Sequence, residues 1–495
     1  MDRALQTPDR TNLVTAFAAV DKLFTDFATQ NHVPGAAWGI IIGGELLHVG
    51  AVGFRELGSK SPVGRDSLFR IASMTKSFTA MSILKLRDEG KLSLDDPAER
   101  YVPELKTLAY PTSDSPRITI RHLLSHAEGF PEDNPWGDQQ LADSEEQLST
   151  MMRAGIPFSN APGIAYEYSN YGFAILGRIV TNVSKMKYGD YVAANILKPL
   201  GMAATTLEPD QVPSTALAHG YRWEDAQWKE EPLLSNGAFG AMGGMLTSVN
   251  DLSRYVKAYL DAWPPHDGPE TGPIKRSSLR EMQQVWRAAP ASVTRDPAGA
   301  VQLNAGGYGF GLRVSQTCAF PHVVAHGGGL PGFGSVMTWL PDYGIGIVAF
   351  GNLTYTSWGR VTPAALDALA NASAIHRRSP HASPALTTAR NAVSNLIVRW
   401  DDRTADSLAA GNLFLDRTKE RRRAEIEALR AAVGACTPGS GFDSVENALR
   451  GQWTLNCERG KLQVAITLAP TMPPTVQYLD VRAAANPPPR SETCR

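Results

Sequence analysis

Apolar residues recur at helical spacing in several segments of this chain of 495 residues. Behind a cap at Thr11 or Asn12, apolar positions three and four residues apart predict an amphipathic first helix. A second apolar run predicts a helix that begins near Ser73 and ends at Gly90, where glycine favours a left-handed cap. A third helix is predicted over residues 173–180.

Short apolar runs bounded by turn residues predict β-strands in the same part of the chain. Two hairpins stand out, one around a Gly-Gly pair and one around a Pro-Asp-Tyr-Gly turn. Their paired runs are residues 36–42 with 46–50, and residues 335–340 with 345–350. Further strands are predicted over residues 308–314 and, leading into a short helix, over residues 118–125.

The pattern changes near residue 375, where a polar segment with several prolines indicates a linker. Two helical runs followed by three strand-like runs lie beyond it and predict a separate α+β domain. The predicted divisions are a first domain over residues 1–375, a linker over 376–385, a C-terminal domain over 386–484 and a disordered tail over 485–495.

Composition and charge exclude several classes of function. With 43% hydrophobic residues and a formal net charge of -1, the chain can bury a large core and has no basic field for a nucleic acid or an anionic membrane. No apolar stretch is long enough to span a bilayer. No signal peptide is visible, so we expect a cytoplasmic location, or a periplasmic or secreted one if such a peptide was removed.

The cysteines show no metal-binding spacing, and no metal or cofactor is predicted. Cys436 and Cys457 flank one short segment, so they could pair in an exported protein or stay as free buried thiols. The sequence predicts no particular oligomeric state.

The candidate chemistry begins with a serine and a lysine three residues apart, Ser73 and Lys76. On a helix this spacing places the hydroxyl and the amine on one face, one turn apart. A lysine can take the proton of a serine only if burial or a neighbouring cation lowers its pKa. Ser-x-x-Lys alone also occurs as a capping serine beside a solvated lysine, but the apolar setting and two further motifs favour a nucleophile and its base.

A Tyr-x-Asn motif follows, and in an extended loop Tyr168 and Asn170 would point the same way. A phenol beside a lysine can lose or shuttle its proton near neutral pH, so Tyr168 could serve as a base for Ser73 and an acid for the leaving group. The Asn170 amide could hold the lysine and a substrate carbonyl at once. The alternative is a helix-capping asparagine beside a packed tyrosine.

The third motif is a histidine followed by three glycines, His326 to Gly329, which we expect immediately before a strand. Glycines there let a substrate backbone approach and leave backbone N–H groups free to bind an oxyanion. The alternative is a histidine in an ordinary turn. A long polar loop over residues 126–143 carries Trp136, which we expect in a wall of the substrate cleft or, alternatively, as a surface anchor of the loop.

In this order, the three motifs resemble the serine β-lactamase and penicillin-binding-protein-like family, in the branch of class C β-lactamases, D-aminopeptidases and esterases. The matching residues are Ser73 and Lys76, Tyr168 and Asn170, and His326 and Gly328. The resemblance covers roughly residues 13–372. It implies an α/β (α+β) fold with an antiparallel sheet flanked by helices and an all-helical subdomain, followed here by the smaller C-terminal α+β domain.

The resemblance also implies a role for each motif residue. Ser73 would form the acyl-enzyme, and Lys76 and Tyr168 would share the proton transfers. The oxyanion hole would be formed by the backbone N–H groups of Ser73 and Gly329. The expected substrate-binding residues are Asn170, His326 and Gly328, to which the loop prediction adds Trp136.

The third motif departs from the Lys-Thr-Gly of the family's β-lactamases, because His326 takes the place of the lysine. A histidine with a pKa near 6.5 is mostly neutral at pH 7, so it would not bind a β-lactam carboxylate as an ammonium does. His-x-Gly resembles the family's D-aminopeptidases and several other peptidases, some of which carry extra C-terminal domains. The C-terminal domain of this chain resembles a cystatin-like or NTF2-like fold.

The sequence therefore predicts a serine hydrolase that acts through a Ser73 acyl-enzyme on peptide or amide bonds of small peptides. A carboxylesterase of the same family is the first alternative. A β-lactamase or a non-catalytic peptide- or penicillin-binding protein is the second. The expected partner is a small peptide, amide or ester substrate.

Overall fold

The computed structural model describes residues 13–484 apart from 296–298, 300, 373, 374, 376, 379 and 440. It forms two compact units, of which the first ends at Arg377 and the second begins at Arg378. The predicted disordered tail and the predicted cap at Thr11 or Asn12 lie outside the described residues.

A nine-stranded antiparallel sheet is the centre of the first unit. The strands described in this unit are β1 (Gly35–Ile42), β2 (Glu45–Glu56), β3 (Ser61–Pro62), β4 (Phe69–Arg70), β5 (Gly220–Glu224), β6 (Gln227–Glu231), β7 (Leu246–Thr247), β8 (Arg287–Arg295), β9 (Val301–Tyr308), β10 (Arg313–Thr317), β11 (Val323–Leu330), β12 (Phe333–Leu340) and β13 (Ile345–Gly351). The large sheet has the order β3-β2-β1-β13-β12-β11-β10-β9-β8, and two small sheets pair β4 with β7 and β5 with β6.

Helices cover the sheet and fill the long connection between β4 and β5, where the described regular elements are all helical. The helices described in the first unit are α1 (Val14–Gln30), α2 (Thr75–Asp88), α3 (Ile120–Leu124), α4 (Asn134–Gly137), α5 (Glu145–Ala154), α6 (Asn170–Ser184), α7 (Tyr188–Val192), α8 (Lys198–Leu200), α9 (Gly240–Gly243), α10 (Val249–Asp261), α11 (Arg276–Met282) and α12 (Thr362–Ala370). The predicted fold class is confirmed, since a large antiparallel sheet is flanked by helices.

Both faces of the central strands β1, β12 and β13 are buried. Ala37 and Ile41 of β1 pack into a core with residues of α2 and α6, whereas Trp38 and Ile40 pack into a second core with α1 and α12. Successive strand residues point to opposite faces, so one strand contributes to both cores. Helix α2 is buried along almost its whole length, which fixes the start of the helix against the sheet.

The two predicted hairpins are confirmed by the pairing of β1 with β2 and of β12 with β13. The single strand predicted over residues 308–314 is wrong. Strand β9 ends at Tyr308 and β10 begins at Arg313, because the chain turns between them and Gly311 adopts a φ of +68°.

Two further local predictions need correction. The run over residues 118–125 forms α3 after a single bridge between Pro97 and Thr119, rather than a strand that enters a helix. His326 lies inside β11, not before a strand. In the second case the glycines conceal the strand, because they carry no side chains from which alternation could be read.

The second unit contains its own antiparallel sheet and helices. They are α13 (Pro384–Val398), α14 (Asp402–Leu408), α15 (Lys419–Val433), β14 (Cys436–Pro438), β15 (Ser444–Asn447), β16 (Arg450–Cys457), β17 (Gly460–Leu468) and β18 (Val476–Ala483). The sheet has the order β14-β16-β17-β18, with β15 also paired to β16. A disulfide joins Cys436 to Cys457 across β14 and β16, so of the two alternatives for these cysteines the structure has the paired one.

None of the helices within the described ranges is long and apolar enough to cross a membrane.

Candidate active site

Ser73 lies on a short 3-10 turn, Ala72–Met74, that leads directly into α2. Ala72 has a φ of +48°, in the left-handed region that residues with a Cβ atom rarely adopt. Behind the turn, Ser335 Oγ donates a hydrogen bond of 2.8 Å to the carbonyl oxygen of Ile71. The turn is thereby held against β12, and Ser73 lines a cleft of about 800 Å³.

Lys76 lies one helical turn beyond Ser73 and is fully buried. Its Nζ is 3.0 Å from Ser73 Oγ, 2.6 Å from Asn170 Oδ1 and 2.9 Å from the carbonyl oxygen of Met242. The amide and carbonyl oxygens can only accept hydrogen bonds. A neutral amine therefore gives its two N–H groups to Asn170 and Met242, and its lone pair faces the hydroxyl of Ser73.

The surroundings of Lys76 favour this neutral amine. Burial lowers the pKa of Lys76 to about 7, against the carboxylates of Asp133 and Asp138, which raise it, while the positive charge of Arg313 lowers it further. The pKa is thus close to neutral pH. A lysine in this state can accept a proton and give it back.

Tyr168 contacts both Ser73 and Lys76. Lys76 Nζ lies 4.9 Å from the centroid of the Tyr168 ring. Burial raises the pKa of Tyr168 above its ordinary value, although the nearby Ser73 hydroxyl and the charge of Arg313 act in the opposite direction. The phenol therefore keeps its proton near pH 7, so of the two expected roles its surroundings favour the acid.

Asn170 is the first residue of α6 and not part of an extended loop. Its Oδ1 accepts a hydrogen bond from Lys76, and its Nδ2 donates one of 3.2 Å to Asn134 Oδ1. The Asp133 carboxylate accepts the backbone N–H groups of Asn170 and Tyr171 at 2.7 and 2.8 Å. Asn170 is fully buried and positions Lys76. Its hydrogen-bond partner Asn134, by contrast, lines the cleft.

The long polar loop before α5 forms a wall of the cleft, and Asp138 is one of its lining residues. The Trp136 ring instead stacks on Tyr171, with centroids 5.8 Å apart, and meets the edge of Phe239 at 5.7 Å. The position of the loop agrees with the predicted wall. The contacts of Trp136 favour the alternative of a loop anchor, and its role toward substrate stays a prediction.

His326 is buried beside the cleft, and both ring nitrogens are engaged. The carbonyl oxygen of Gly327 can only accept, so Nδ1, which is 2.6 Å away, carries the proton. Nε2 then accepts the hydroxyl of Tyr308 at 2.8 Å. Burial, followed by the positive charges of Arg313 and Lys76, lowers the pKa of His326 to about 3. His326 is thus neutral near pH 7 and bonded to Tyr308, and since it lines the cleft its expected contact with substrate stays a prediction.

Gly328 permits the close approach of β11 to the turn that carries Ser73. A Cβ atom at Gly328 would lie 2.1 Å from the carbonyl oxygen of Ile71 and 2.5 Å from Ser335 Oγ. Gly328 thus has a packing role at the turn, and its expected contact with substrate stays a prediction. At Gly327, by contrast, a Cβ atom would meet nothing closer than 3.7 Å.

The part of β11 that carries the glycines has an open edge. β10 pairs with β11 only from Val323 to Ala325, so from His326 to Leu330 this edge has no strand partner among the described residues. Gly329 lies on this segment and lines the same cleft as Ser73. An open strand edge can pair with an extended substrate backbone.

Arg313 is a cleft residue that the sequence does not predict. It lies on β10 opposite Ala325, lines the cleft and is exposed. Its guanidinium carbon lies 5.8 Å from the centroid of the Tyr168 ring. Across the described ranges, no carboxylate forms an ion pair with it. No local pattern marks this arginine, because only the register of the sheet brings it to the cleft.

The arrangement has the groups that acyl transfer requires. It combines a hydroxyl beside an amine with a pKa of about 7, a protonated phenol, an open strand edge and an exposed guanidinium. A nucleophile paired with a base can attack an ester or amide carbonyl, and backbone N–H groups can bind the oxyanion that forms. Within the part of the chain that the structure describes, no cluster of three or more His, Cys, Asp or Glu side chains could hold a metal ion.

Comparison with known proteins gives relatives in sequence. Protein flp of Staphylococcus aureus (strain N315) is 29% identical over 340 residues, which cover 68% of this chain and 62% of that protein. Penicillin-binding protein 4* of Bacillus subtilis (strain 168) is 27% identical over 321 residues, which cover 61% of this chain and 64% of that protein. The chain therefore spans less than two thirds of the length of these relatives.

Two solved structures share the fold. The octameric penicillin-binding protein homologue from Pyrococcus abyssi has a TM-score of 0.60 and 22% sequence identity, with 92% of this chain and 91% of that chain covered. A class C beta-lactamase has a TM-score of 0.57 and 20% identity, with 72% of this chain and 96% of that chain covered. The family model described as Beta-lactamase matches residues 20–372, and the chain belongs to the β-lactamase family.

Proposed function

We propose that this protein is a serine hydrolase that forms an acyl-enzyme on Ser73. The observation that carries the proposal is the 3.0 Å hydrogen bond between Lys76 Nζ and Ser73 Oγ, with the remaining N–H groups directed to Asn170 and Met242. This geometry leaves the amine lone pair for the serine proton, so the nucleophile and its base act as one unit. Membership of a family that generally consists of serine hydrolases supports the same reaction.

In the proposed reaction the Ser73 oxygen attacks the substrate carbonyl while Lys76 takes the serine proton. The backbone N–H groups of Ser73 and Gly329 bind the oxyanion. Tyr168 donates its proton to the leaving group, and the Lys76 ammonium returns a proton to the phenolate. A water molecule then releases the acyl group by the same steps in reverse.

Small peptides and amides are the proposed substrates, in particular those with a carboxylate on the leaving group. Neutral His326 offers no charge for such a group, but the exposed guanidinium of Arg313 lies on the adjoining strand. Guanidinium groups bind carboxylates through two parallel charge-assisted hydrogen bonds. Arg313 therefore supplies the positive charge that the third motif lacks.

The same guanidinium favours a second candidate function, the binding or hydrolysis of β-lactams. A β-lactam also presents an amide carbonyl near a carboxylate, so the absence of a lysine at His326 no longer argues against it. The name of one relative, Penicillin-binding protein 4*, supports this candidate.

Intact-mass spectrometry tests the proposal directly. A fluorophosphonate should add one adduct to the native protein and none to Ser73→Ala. Ser77→Ala is the matched control and should keep the adduct, because the Ser77 hydroxyl is buried on the same helix and bonded to the Met74 carbonyl at 2.8 Å. A native protein without an adduct would contradict the acyl-enzyme.

A substrate panel then separates the activities. Turnover of dipeptides or amino-acid amides supports the peptidase, and turnover of benzylpenicillin supports the second candidate. Turnover of p-nitrophenyl esters alone would replace both by a carboxylesterase. Labelling of Ser73 without any turnover would indicate a binding protein.

A further inference from the structure

A tyrosine on the sheet side of the cleft reaches across to the loop on its helical side. Tyr355 follows β13 and is 51% exposed, and its hydroxyl donates a hydrogen bond of 2.7 Å to Asp138 Oδ2. Both residues line the same cleft as Ser73. We call this bridge between Tyr355 and Asp138 the clasp.

The backbone of Tyr355 is held in an unusual conformation. Its φ is +53°, in the left-handed region that disfavours residues with a Cβ atom, and its N–H donates to the carbonyl oxygen of Phe333 at 3.1 Å. Backbone strain of this kind is frequent at sites that bind ligands.

The clasp contacts two groups next to the proposed reaction. A Cβ atom on Gly329 would lie 2.7 Å from Cδ1 of Tyr355, so the ring packs directly on the backbone of the proposed oxyanion donor. The carboxylate of Asp138 is near enough to Lys76 to raise its pKa. The bridge therefore lies above the reacting groups and not at a distant part of the rim.

The clasp and Arg313 mark opposite ends of the open edge of β11. Arg313 pairs with Ala325, and Gly329 follows four residues later, which is about 13 Å along a strand that rises about 3.3 Å per residue. A substrate that lies along this edge, with its leaving-group carboxylate at Arg313, has its acyl part at the Tyr355 end.

We propose that the clasp closes the acyl end of the cleft and that Tyr355 is a specificity-determining residue that restricts the substrate to a short acyl group. The proposal rests on the proposed Ser73 acyl-enzyme. An acetyl or a single aminoacyl group ends before the clasp. A longer acyl chain has to break the hydrogen bond to Asp138 or displace the Tyr355 ring.

The experiment compares p-nitrophenyl acetate with p-nitrophenyl octanoate, which share a leaving group and differ only in acyl length. The full-length native protein should have the higher kcat/KM for the acetate. Tyr355→Gly removes the ring, and glycine adopts a φ of +53° freely. It should raise the octanoate-to-acetate ratio of kcat/KM at least about 10-fold, within the range known for steric exclusion of methylene groups. Tyr355→Phe keeps the ring and loses the bond, so its ratio should rise by a smaller factor.

Tyr343→Phe is the matched control, because Tyr343 lies in the turn at the other end of the β12–β13 hairpin, and its ratio should equal the native one. Equal melting temperatures of the native protein and the Tyr355 variants exclude a folding defect. An active native protein that already prefers the octanoate, or a ratio unchanged in Tyr355→Gly, overturns the clasp alone. Failure of Ser73 to react with a fluorophosphonate or with either ester overturns the proposed function, and the clasp with it.

Discussion

The cleft has a buried floor and an exposed rim, and the chain builds them in different ways. The floor consists of Ser73, Lys76 and Asn170, which hydrogen bonds connect across the starts of two helices. The rim includes Arg313 and Tyr355, which later strands and loops bring to the same cleft. In the proposed reaction the floor determines whether an acyl bond forms, and the rim determines which substrate reaches it.

Two basic side chains of this cleft, one buried and one exposed, differ in their charge for the same reason. Burial lowers the pKa of Lys76 to about 7, so the amine can exchange a proton at neutral pH. Arg313 is exposed and carries a guanidinium, which stays charged in proteins. Burial thus suits Lys76 to proton transfer, whereas Arg313 stays positively charged and is suited to binding an anionic group.

The largest expected effect is on the floor. Lys76→Met should lower kcat for every substrate by about 10²–10⁴-fold, the typical contribution of a general base. The measurement is the rate of Ser73 acylation by a fluorophosphonate and by p-nitrophenyl acetate. Lys85→Met on the same helix removes a lysine paired with Glu89 and should acylate at the native rate. Acylation of Lys76→Met at the native rate would show that Lys76 is not the base for Ser73.

The second effect tests the rim. Arg313→Gln should raise KM about 10–100-fold for peptides with a free carboxylate on the leaving group, since a hydrogen bond to a charged group contributes about 1.5–3 kcal/mol. Hydrolysis of p-nitrophenyl acetate, which has no carboxylate, should change little when measured well above the Lys76 pKa of about 7, where loss of the Arg313 charge leaves the amine neutral. Arg222→Gln, an exposed arginine on β5, is the control. Equal losses on both substrates would show that Arg313 does not select for the carboxylate.

The third effect tests how the floor is attached to the sheet. Gly328→Ala should destabilise the fold by about 1–3 kcal/mol and slow acylation, because the added methyl group overpacks against the turn before Ser73. Gly327→Ala, one residue away in β11, has room for a methyl group and should lose less. Urea unfolding and fluorophosphonate labelling measure the two losses. Equal values for both variants would contradict the packing role of Gly328.

A smaller effect is expected on the pH dependence of the reaction, because the Asp138 carboxylate on the rim acts on the pKa of Lys76 in the floor. If neutral Lys76 is the base, kcat/KM falls as the pH drops below its pKa of about 7. The Asp138 carboxylate raises that pKa, so Asp138→Asn should move this acid limb to lower pH, while the amide oxygen still accepts the Tyr355 hydroxyl. Asp114→Asn, at an exposed position outside the cleft, should leave the profile unchanged. If the acid limb of the kcat/KM profile moved to higher pH in Asp138→Asn, Lys76 would not be the group that titrates there.

The sequence predicts the floor far better than the rim. Ser73 and Lys76 lie one turn apart, so helical periodicity alone brings them together, and the resemblance adds Tyr168 and Asn170. Their proposed catalytic roles stay predictions. The pKa values of Lys76 and Tyr168 could not be predicted, because they depend on the burial that the whole first unit provides.

The rim depends on long-range geometry that local patterns do not contain. Arg313 reaches the cleft through its register with β11, and the prediction of one strand over residues 308–314 concealed the turn at Gly311 that creates this register. Tyr355 and Asp138 meet although they are 217 positions apart in sequence. The tautomer and partner of His326 likewise required the position of Tyr308 on another strand.

The short overlap of β10 with β11 sets how many backbone hydrogen bonds the free edge of β11 can form with a ligand. In the described part of the chain, the five residues from His326 to Leu330 have no strand partner on that side, which is enough for the amides of about a tripeptide, since only alternate residues of a strand bond to a given neighbour. Methylation of a ligand's amide nitrogens should therefore weaken its binding, whereas lengthening the ligand beyond this stretch should add no affinity through the backbone.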